Sequence, residues 1–200
     1  LGLAAGAPVV RLELSRHADG VVLCVATSWL PAARCPAAGA VYAVLLDELS
    51  VGDSTIADNT ATLTGCTAAC WAVGGLAVDQ VATLNIERSV IVNNAADVGE
   101  TCEDLCAAIA GGAHITAEEV RVDASTFAFN RATAPECPGC SATGGLELDA
   151  SATAAVVNSM VTDNVAAAYD ETGGVHHLGG SLTVTHVTLA DNSTDGRRSA

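Results

Sequence analysis

The stretch GGLELDASATAAVVNSMVTDN, residues 144–164, decides the fold because nearly the same frame recurs along the chain. It begins with two glycines, continues with apolar residues at alternating positions and ends at an asparagine. Similar segments start at Gly74, Gly111 and Gly173. Each segment runs for 19 or 20 residues from its first glycine to its asparagine, and the variation in length falls between that asparagine and the next glycine. The chain therefore consists of repeats with a constant half and a variable half, as in proteins built from stacked units.

One asparagine ends each constant half. These asparagines are Asn59, Asn94, Asn130, Asn164 and Asn192. An asparagine at the end of a stacked strand can hydrogen-bond its side-chain amide to the equivalent asparagines above and below. We therefore expect the five residues to form a ladder. The glycine pairs are expected at tight corners, where their tolerance of positive φ is needed.

Apolar residues in the constant half alternate with a period of two, which is typical of strands. The positions three and eight residues before the asparagine are apolar in every repeat. They are Ile56, Ile91, Phe127, Val161 and Leu189, and Val51, Ile86, Val122, Val156 and Val184. A third apolar column follows the glycine pairs. Three short strands per repeat bury their apolar faces only when repeats stack in register, so the pattern predicts an all-β fold, a parallel β-solenoid of about five coils.

The repeats occupy residues 39–200, whereas residues 1–38 match them poorly and are predicted to be an N-terminal cap or a degenerate first coil. The last strand ends near Asn192 without a visible cap, so we expect a solenoid that is open at its C-terminal end and continues in further coils of the same chain. The chain begins with Leu1 and shows no signal peptide. The sequence is therefore expected to be a piece of a longer protein.

The composition excludes several classes of function. The formal net charge is −15 and all eight basic residues are arginine, so the surface would not attract nucleic acid or anionic lipid. The apolar runs are too short and too interrupted to cross a bilayer, and we expect no membrane insertion by this segment. Eight cysteines in an acidic chain without lysine favour an oxidising compartment.

The cysteines occur in pairs before the glycine pairs. The pairs are Cys24 and Cys35, Cys66 and Cys70, Cys102 and Cys106, and Cys137 and Cys140. The second member always lies four or five residues before the first glycine of its repeat, which is Gly39, Gly74, Gly111 or Gly144, so these four cysteines should form one column. We predict one disulfide within each pair, which would pin loops that have too little apolar content to order themselves. Disulfides between neighbouring coils, a thiolate metal or cluster site, and a redox role for CPGC at 137–140 are the alternatives.

The outward positions after the glycine pairs present a candidate metal site. His114, Glu147 and His176 fall in one column on successive coils, and Asp149 lies two residues along the strand from Glu147. Two imidazoles and a carboxylate suit a divalent transition metal. The alternative is a solvated polar face that holds no ligand, in which case no cofactor is needed.

Two further charged clusters are candidate sites. The first, on the middle strand of adjacent coils, contains Glu87, Arg88, Arg121 and Asp123. We interpret it as cross-strand ion pairing, with lyase or glycosidase chemistry as the alternative. The second, in the loop ETCEDLC, contains Glu100, Glu103 and Asp104. Its oxygens suit calcium, but their spacing matches no defined calcium loop, so we interpret it as a solvated acidic loop.

The glycine and asparagine motifs resemble those of a known family. GGLA, GGAH, GGLE and GGVH alternate with IADN, IVNN, FAFN, VTDN and LADN over about residues 39–192. This order is similar to the GGA(I/L/V) and FxxN repeats of chlamydial polymorphic outer-membrane proteins and related bacterial surface proteins. The resemblance implies a right-handed parallel β-helix, secretion or attachment at the bacterial outer membrane, and adhesion as a role of several members.

These observations together predict a non-catalytic extracellular or cell-surface β-solenoid, adhesive or structural, whose disulfide-pinned loops form an interaction face. Its partner would be a protein or glycan on a host or neighbouring cell. The competing class is a carbohydrate-active enzyme on the same scaffold, a pectate-lyase-like polysaccharide lyase or a glycosidase, because a fold does not settle a function. Such an enzyme needs convergent acids, or a metal and a base, in a groove.

Overall fold

The computed structural model describes residues 9–18, 21–31, 41–44, 48–63, 70–98, 106–134 and 140–195. For 9–18, 21–31, 41–44, 70 and 106–108 it describes the backbone alone. All regular structure in these ranges is β-strand. The described part of the chain has no helix long and apolar enough to cross a bilayer.

The first two strands differ from all the others. β1 (Val9–Ala18) and β2 (Val21–Pro31) form an antiparallel pair. The later strand pairs within the described ranges are parallel. These two strands therefore form an antiparallel pair in place of a parallel repeat. The predicted boundary at residue 38 lies outside the described residues.

The remaining strands form four parallel sheets, which the chain visits in the same order in successive repeats. We number the sheets by that order. The first sheet contains β7 (Cys70–Val73), β11 (Cys106–Ala110), β15 (Ser141–Thr143) and β19 (Asp170–Thr172). The second contains β3 (Val41–Val44) with β4 (Glu48–Gly52), β8 (Leu76–Glu87), β12 (Ala113–Asp123), β16 (Leu146–Val157), and β20 (Val175–Leu178) with β21 (Ser181–Thr185).

The third and fourth sheets complete each repeat. The third contains β5 (Thr55–Ala57), β9 (Val90–Val92), β13 (Thr126–Ala128), β17 (Met160–Thr162) and β22 (Thr188–Ala190). The fourth contains β6 (Thr60–Leu63), β10 (Ala95–Val98), β14 (Arg131–Thr133), β18 (Val165–Ala167) and β23 (Ser193–Thr194).

Residues one repeat apart lie side by side in these sheets. Ile91 is in register with Ile56 of the repeat before it and with Phe127 of the repeat after it. Phe127 is in turn in register with Val161. The prediction of an all-β fold of parallel strands in stacked sheets is therefore confirmed.

The prediction of three short strands per coil is wrong. In the central repeats the two apolar columns expected on separate strands, such as those of Leu76 and Ile86, lie on one long strand of the second sheet. The variable half contains two strands that the pattern did not reveal, one in the fourth sheet and one in the first. These strands are short and rich in alanine, as in AADV of β10, so their apolar alternation is weak.

The sheets enclose two apolar cores of different character. The larger core lies between the second and third sheets and is built mostly from Leu, Ile and Val around Phe127. The smaller core lies between the first and fourth sheets and is mostly alanine, with Val98 and Ile109 as its largest side chains. Because hydrophobic stabilisation grows with the apolar area buried, the larger core supplies most of it.

The glycine pairs lie where the backbone crosses from the first sheet to the second. A Cβ atom on Gly74 would lie 2.6 Å from the carbonyl carbon of Ala95, and one on Gly75 would lie 2.2 Å from the carbonyl oxygen of Gly112. No side chain fits at these distances. Positive φ occurs among the described glycines at Gly179 and Gly180, outside the pairs. The expectation that the pairs provide positive φ is therefore wrong. Their role is to let backbone approach closely, across one repeat at Gly74 and between neighbouring repeats at Gly75.

Among the described non-glycine residues, positive φ occurs at Gln80 within β8 and at the two corners that flank the third sheet. The corner before it contains Asp53, Arg88, Ala124, Asn158 and His186, and the corner after it contains Asp58, Asn93, Phe129, Asp163 and Asp191. Most of these residues are Asp or Asn, which tolerate the left-handed region better than other side chains.

The inner positions of the last described repeat are uncovered. Val184 and Leu189 are 49% and 56% exposed, whereas their register partners Val156 and Val161 in the preceding repeat are buried. The larger core is therefore complete over the central repeats and exposed at this repeat.

Candidate functional site

The asparagines lie at the corner between the third and fourth sheets and hydrogen-bond along the stack. The Nδ2 of Asn94 donates to the Oδ1 of Asn130 at 3.1 Å, and the backbone N–H of Asn94 donates to the same oxygen at 3.0 Å. The Nδ2 of Asn130 donates to the Oδ1 of Asn164 and to the carbonyl oxygen of Ile91, both at 3.0 Å. The same pattern continues at both ends of the row. These amides are engaged within the protein and are not free to contact a ligand.

Sequence reasoning missed a second polar column, at the corner between the second and third sheets. It consists of Ser54, Ser89, Ser125 and Ser159. The backbone N–H of Ser89 donates to the Oγ of Ser125 at 3.1 Å, and that hydroxyl donates to the carbonyl oxygen of Asp123 at 2.8 Å. The signal was present, because each serine lies five residues before its asparagine and only the last repeat departs, with Val187.

The charged cluster on the second sheet and its corner is paired internally. The Nε of Arg88 lies 2.7 Å from the Oδ1 of Asp53 one repeat earlier, and its Nη1 lies 3.0 Å from the Oε2 of Glu87. The Nη2 of Arg121 lies 2.6 Å from the Oδ2 of Asp123 on the same strand. One pair therefore crosses between repeats, but its carboxylate is Asp53, outside the predicted cluster. The described ion pairs among the four predicted residues form within a repeat and not across strands.

These ion pairs set the protonation of their carboxyls. The hydrogen bond from Arg88 holds the pKa of Asp53 below its ordinary value. Hydrogen bonds from Arg121 and then from Asn158 lower the pKa of Asp123. A general acid in glycoside hydrolysis needs a raised pKa instead. The lowered pKa values of Asp53 and Asp123 are opposite to that requirement.

The cysteine predictions fall mostly where the structure gives little. Cys35, Cys66, Cys102 and Cys137 lie outside the described residues, as do Glu100, Glu103 and Asp104 of the acidic loop, and Cys24, Cys70 and Cys106 are described by their backbone alone. Cys106 is in register with Cys70 on neighbouring strands of the first sheet. Cys140 is buried in the smaller core. The disulfide pairing stays a prediction.

The outward positions on either side of the glycine pairs are buried too. Val73 and Ala77 pack with Ala110 of the next repeat in a cluster separate from the two cores. Their chain neighbours Ala72 and Leu76 belong to the smaller and the larger core. Between these residues the backbone packs against the far side of the repeat, as Gly74 does against Ala95. We define the outer groove as Val73, Ala77, Ala110, His114, Thr143 and Glu147.

Polar residues replace apolar ones along the outer groove. In strand register, Ala77 is followed by His114 and then by Glu147, and Ala110 is followed by Thr143. The exposed fractions are 8% for His114, 2% for Glu147 and 0% for Thr143. The predicted outward column therefore exists, but these members of it are buried rather than solvated.

Within the described part of the chain, three buried polar atoms of the outer groove have no hydrogen-bond partner: Nδ1 of His114, Oγ1 of Thr143 and Oε2 of Glu147. The Nδ1 of His114 lies 3.5 Å from the Oε1 of Glu147 but is not placed for a hydrogen bond. On the other side of the ring, Nε2 lies 3.5 Å from the Oγ1 of Thr116. The ring of Trp71 is 5.6 Å from the imidazole between centroids. Buried polar atoms without partners destabilise a fold, so this groove is the candidate functional site.

The predicted metal ligands do not converge. Among the described residues no group of three or more His, Cys, Asp or Glu side chains is positioned to hold a metal ion. His114, Glu147 and His176 stand on three successive strands, so the outer two are about 10 Å apart, whereas ligands of one zinc ion lie within about 4 Å of each other. Metal binding here stays a prediction that this geometry does not favour. His177 is in register with Leu148 of the larger core, and its Nε2 has no described partner.

A catalytic arrangement is not assembled either. Glu147, His114 and Thr116 follow the order carboxylate, imidazole, hydroxyl of enzymes that activate a nucleophile. Both links measure 3.5 Å, longer than the roughly 2.6–3.2 Å over which such groups transfer a proton. The arrangement therefore fits a binding site better than a nucleophile.

The comparisons with known proteins bear on another part of the chain. The family model of the UTRA domain matches residues 1–50, a quarter of the chain. No curated protein and no solved structure matches the chain.

The resemblance to the chlamydial surface-protein repeats is wrong as a family assignment. The matching model is that of the UTRA domain, and it lies almost entirely before the repeats that carried the resemblance. The physical reason is that the motifs report packing. Glycine is required wherever a Cβ would meet backbone, as at Gly75, and asparagine is required where an amide bridges three repeats, as at Asn130. Unrelated chains with this geometry would carry the same motifs.

Proposed function

We propose that this protein is a non-catalytic binding scaffold and that the outer groove is its binding surface. The observation that carries the proposal is the set of three buried, partnerless polar atoms on His114, Thr143 and Glu147. A ligand that hydrogen-bonds to them would offset the unfavourable free energy of burying them. Elsewhere the polar columns are bonded internally, as along the asparagines and the serines.

We further propose that the four sheets are the faces of a right-handed parallel β-helix of about five coils. Support comes from the constant order in which each repeat passes through the sheets and returns to the first. Connections between parallel strands of one sheet are right-handed in nearly all proteins, which favours this hand. In such a solenoid the variable segments between the fourth and first sheets all emerge along one edge and would form a second interaction surface, as the sequence predicts.

A direct test separates the scaffold from the carbohydrate-active enzyme. The full chain is incubated with uronate polymers and neutral glycans while product release is followed. We expect no product, because the charged cluster is paired and the imidazole is too far from its neighbours for proton transfer. Turnover that disappears in the His114→Ala variant would overturn the proposal. In parallel, immobilised glycan and peptide libraries should retain the wild-type chain, and His114→Ala should lower that retention.

The extracellular location and a protein or glycan partner on a neighbouring cell are also part of the proposal. They rest on eight cysteines in an acidic chain without lysine. Counting thiols in protein isolated from its native source, before and after reduction, tests the location. We expect fewer reactive thiols before reduction than after, and equal counts would exclude an oxidised protein.

The UTRA match favours a second candidate, the ligand-binding domain of a transcription regulator. The matched residues include β1 and β2, whereas the outer groove lies wholly outside the match. Substitutions therefore separate the two candidates. Ligand binding that is altered by changes in residues 1–50 and unaffected by His114→Ala would support the regulator domain instead of the scaffold.

A further inference from the structure

We propose that the outer groove binds an organic cation, with an ammonium or guanidinium group at Thr143 and Glu147. The ligand's apolar body would lie along Val73 and Ala77 beside Trp71. This inference rests on the proposed function and names the class of ligand for the same groove.

The charge of the ligand follows from the atoms that lack partners. The Oε2 of Glu147 can only accept hydrogen bonds as a carboxylate oxygen, and the Oγ1 of Thr143 can accept one as well. Glu147 and Thr143 are both almost completely buried. A group with several N–H donors and a positive charge satisfies both, and charge-assisted hydrogen bonds to a carboxylate are the strong ones. An anion would meet the carboxylate at close range and is disfavoured.

The shape of the ligand follows from the order of residues along the groove. Val73, Ala110 and Thr143 are in register on three successive strands. Because neighbouring strands are about 4.8 Å apart, the apolar end of the groove is about 10 Å from the polar end. That is the length of a short alkyl chain with a terminal amine or guanidine. The ring of Trp71, near His114, offers an aromatic wall for the alkyl part.

The charges around the groove also favour a cationic ligand. The chain carries a net charge of −15, and Asp149 is half-buried two residues beyond Glu147. The arginines of the second sheet and its corner, Arg88 and Arg121, are held in ion pairs away from the groove. A cation is therefore attracted to this surface from a distance. The basic side chain within the groove is His114, whose Nδ1 lies 3.5 Å from the Oε1 of Glu147 and leaves the Oε2 without a partner.

Fluorescence of Trp71 gives a direct readout. The chain has two tryptophans, so Trp29→Phe leaves Trp71 as the single reporter. The full chain carrying Trp29→Phe is titrated with hexylamine and with hexylguanidine, and calorimetry on the wild-type chain provides a second measurement. Hexanol and hexanoate serve as neutral and anionic ligands of similar length. We expect saturable binding of both cations, and about tenfold weaker or no binding of the alcohol and the acid.

Two isosteric variants test the role of the carboxylate. Glu147→Gln removes the charge at the proposed contact and should weaken cation binding about tenfold or more. Asp149→Asn removes the same formal charge two residues away and should change affinity by less than about threefold. Circular dichroism checks that each variant folds. If Glu147→Gln does not fold, Thr143→Val takes its place, with an expected loss of about threefold or more.

Three outcomes would overturn the inference: no saturable binding of either cation, equal binding of hexanol, or equal weakening by Glu147→Gln and Asp149→Asn. The proposed function is judged separately, by retention on the glycan and peptide libraries. Retention that depends on His114, without any affinity for the amines, would contradict the proposed cationic ligand and still support the binding scaffold. If neither retention on the libraries nor binding of the amines is observed, both proposals are wrong.

Discussion

The asparagine corner and the outer groove lie on opposite sides of the same glycine pairs, and they treat buried polar groups in opposite ways. A Cβ on Gly112 would lie 3.0 Å from the Nδ2 of Asn130, so the amide sits directly behind the glycine. Asn130 and Thr143 are both 0% exposed. The amide of Asn130 is bonded at both its nitrogen and its oxygen, whereas the hydroxyl of Thr143 has no described partner. Burial alone therefore does not mark a site; burial without partners does.

The largest loss of stability is expected from a substitution at the asparagine corner. Asn130→Ala removes an oxygen that accepts from Asn94 and a nitrogen that donates to Ile91 and Asn164. Several buried groups are left without partners, so we expect a loss of about 3–5 kcal/mol in the free energy of unfolding. Urea denaturation followed by circular dichroism measures it. The matched control is Asn85→Ala, on the half-buried outer side of the second sheet, where a change within about 0.5 kcal/mol is expected. Similar losses in both variants would contradict the structural role of the ladder.

The serine column provides a smaller effect of the same sign. Ser125→Ala removes the oxygen that accepts from the backbone N–H of Ser89 and the hydroxyl that donates to Asp123. One buried N–H is left unsatisfied, and we expect a loss of about 2 kcal/mol by the same denaturation measurement. Ser125→Gly, which also lacks the hydroxyl, should be at least as destabilised. A loss confined to the glycine variant would show that backbone freedom, and not the hydrogen bond, is responsible.

In the outer groove, removing a buried polar group should increase the free energy of unfolding instead of lowering it. Thr143→Val keeps the shape of the side chain and removes a buried hydroxyl without a described partner. The register-equivalent residue two repeats earlier is Val73, so the column accepts valine. We expect a gain of about 1 kcal/mol in the free energy of unfolding without ligand. The control is Thr172→Val, one repeat later and only half-buried, which should be close to neutral. A destabilised Thr143→Val variant would mean that the hydroxyl is satisfied in solution.

The smallest effect is expected from the exposed ion pairs. The pKa values of Asp53 and Asp123 are lowered in the folded protein by their arginine partners. Their contribution is therefore fully present above the unfolded aspartate pKa of about 3.9 and is lost as the pH falls through the lower folded values. Thermal unfolding recorded from neutral to acidic pH should show a weak downward step in this window. Asp53→Asn should flatten the step, and an unchanged profile in that variant would assign the step to other carboxyls.

Much of the fold could be predicted from the sequence because its signals are local and repeated. The columns of Ile91 and Asn94 recur at nearly constant spacing from the glycines, and strand register follows from that spacing. The strands of the smaller core could not be found in this way, since AADV of β10 has little apolar contrast. The glycine pairs were predicted to provide positive φ, whereas they allow close backbone approach. The sequence does not show which backbone lies opposite Gly74.

The candidate site was predicted only in part. Period-two alternation placed His114, Glu147 and His176 on one outward column, which the strand register reproduces. Their burial was not predictable, because period-two alternation gives the face of a strand on which a side chain lies and not what covers that face. The contributions of Thr143 and Trp71 were missed, since both belong to strands of the first sheet that carry no clear pattern. The serine column has a constant spacing from the asparagines and was therefore predictable from the sequence.

Because differences in length are confined to the segment between the fourth and first sheets, each repeat is a unit that could be duplicated or removed as a whole. All four sheets keep their columns aligned while that segment changes length, so a unit such as residues 111–143 begins and ends at equivalent points of the stack. Duplicating or excising such a unit would leave every ladder continuous across the junction. Growth of the molecule by tandem copying would thus conserve its interior while each new copy brought one more rung of side chains to the groove.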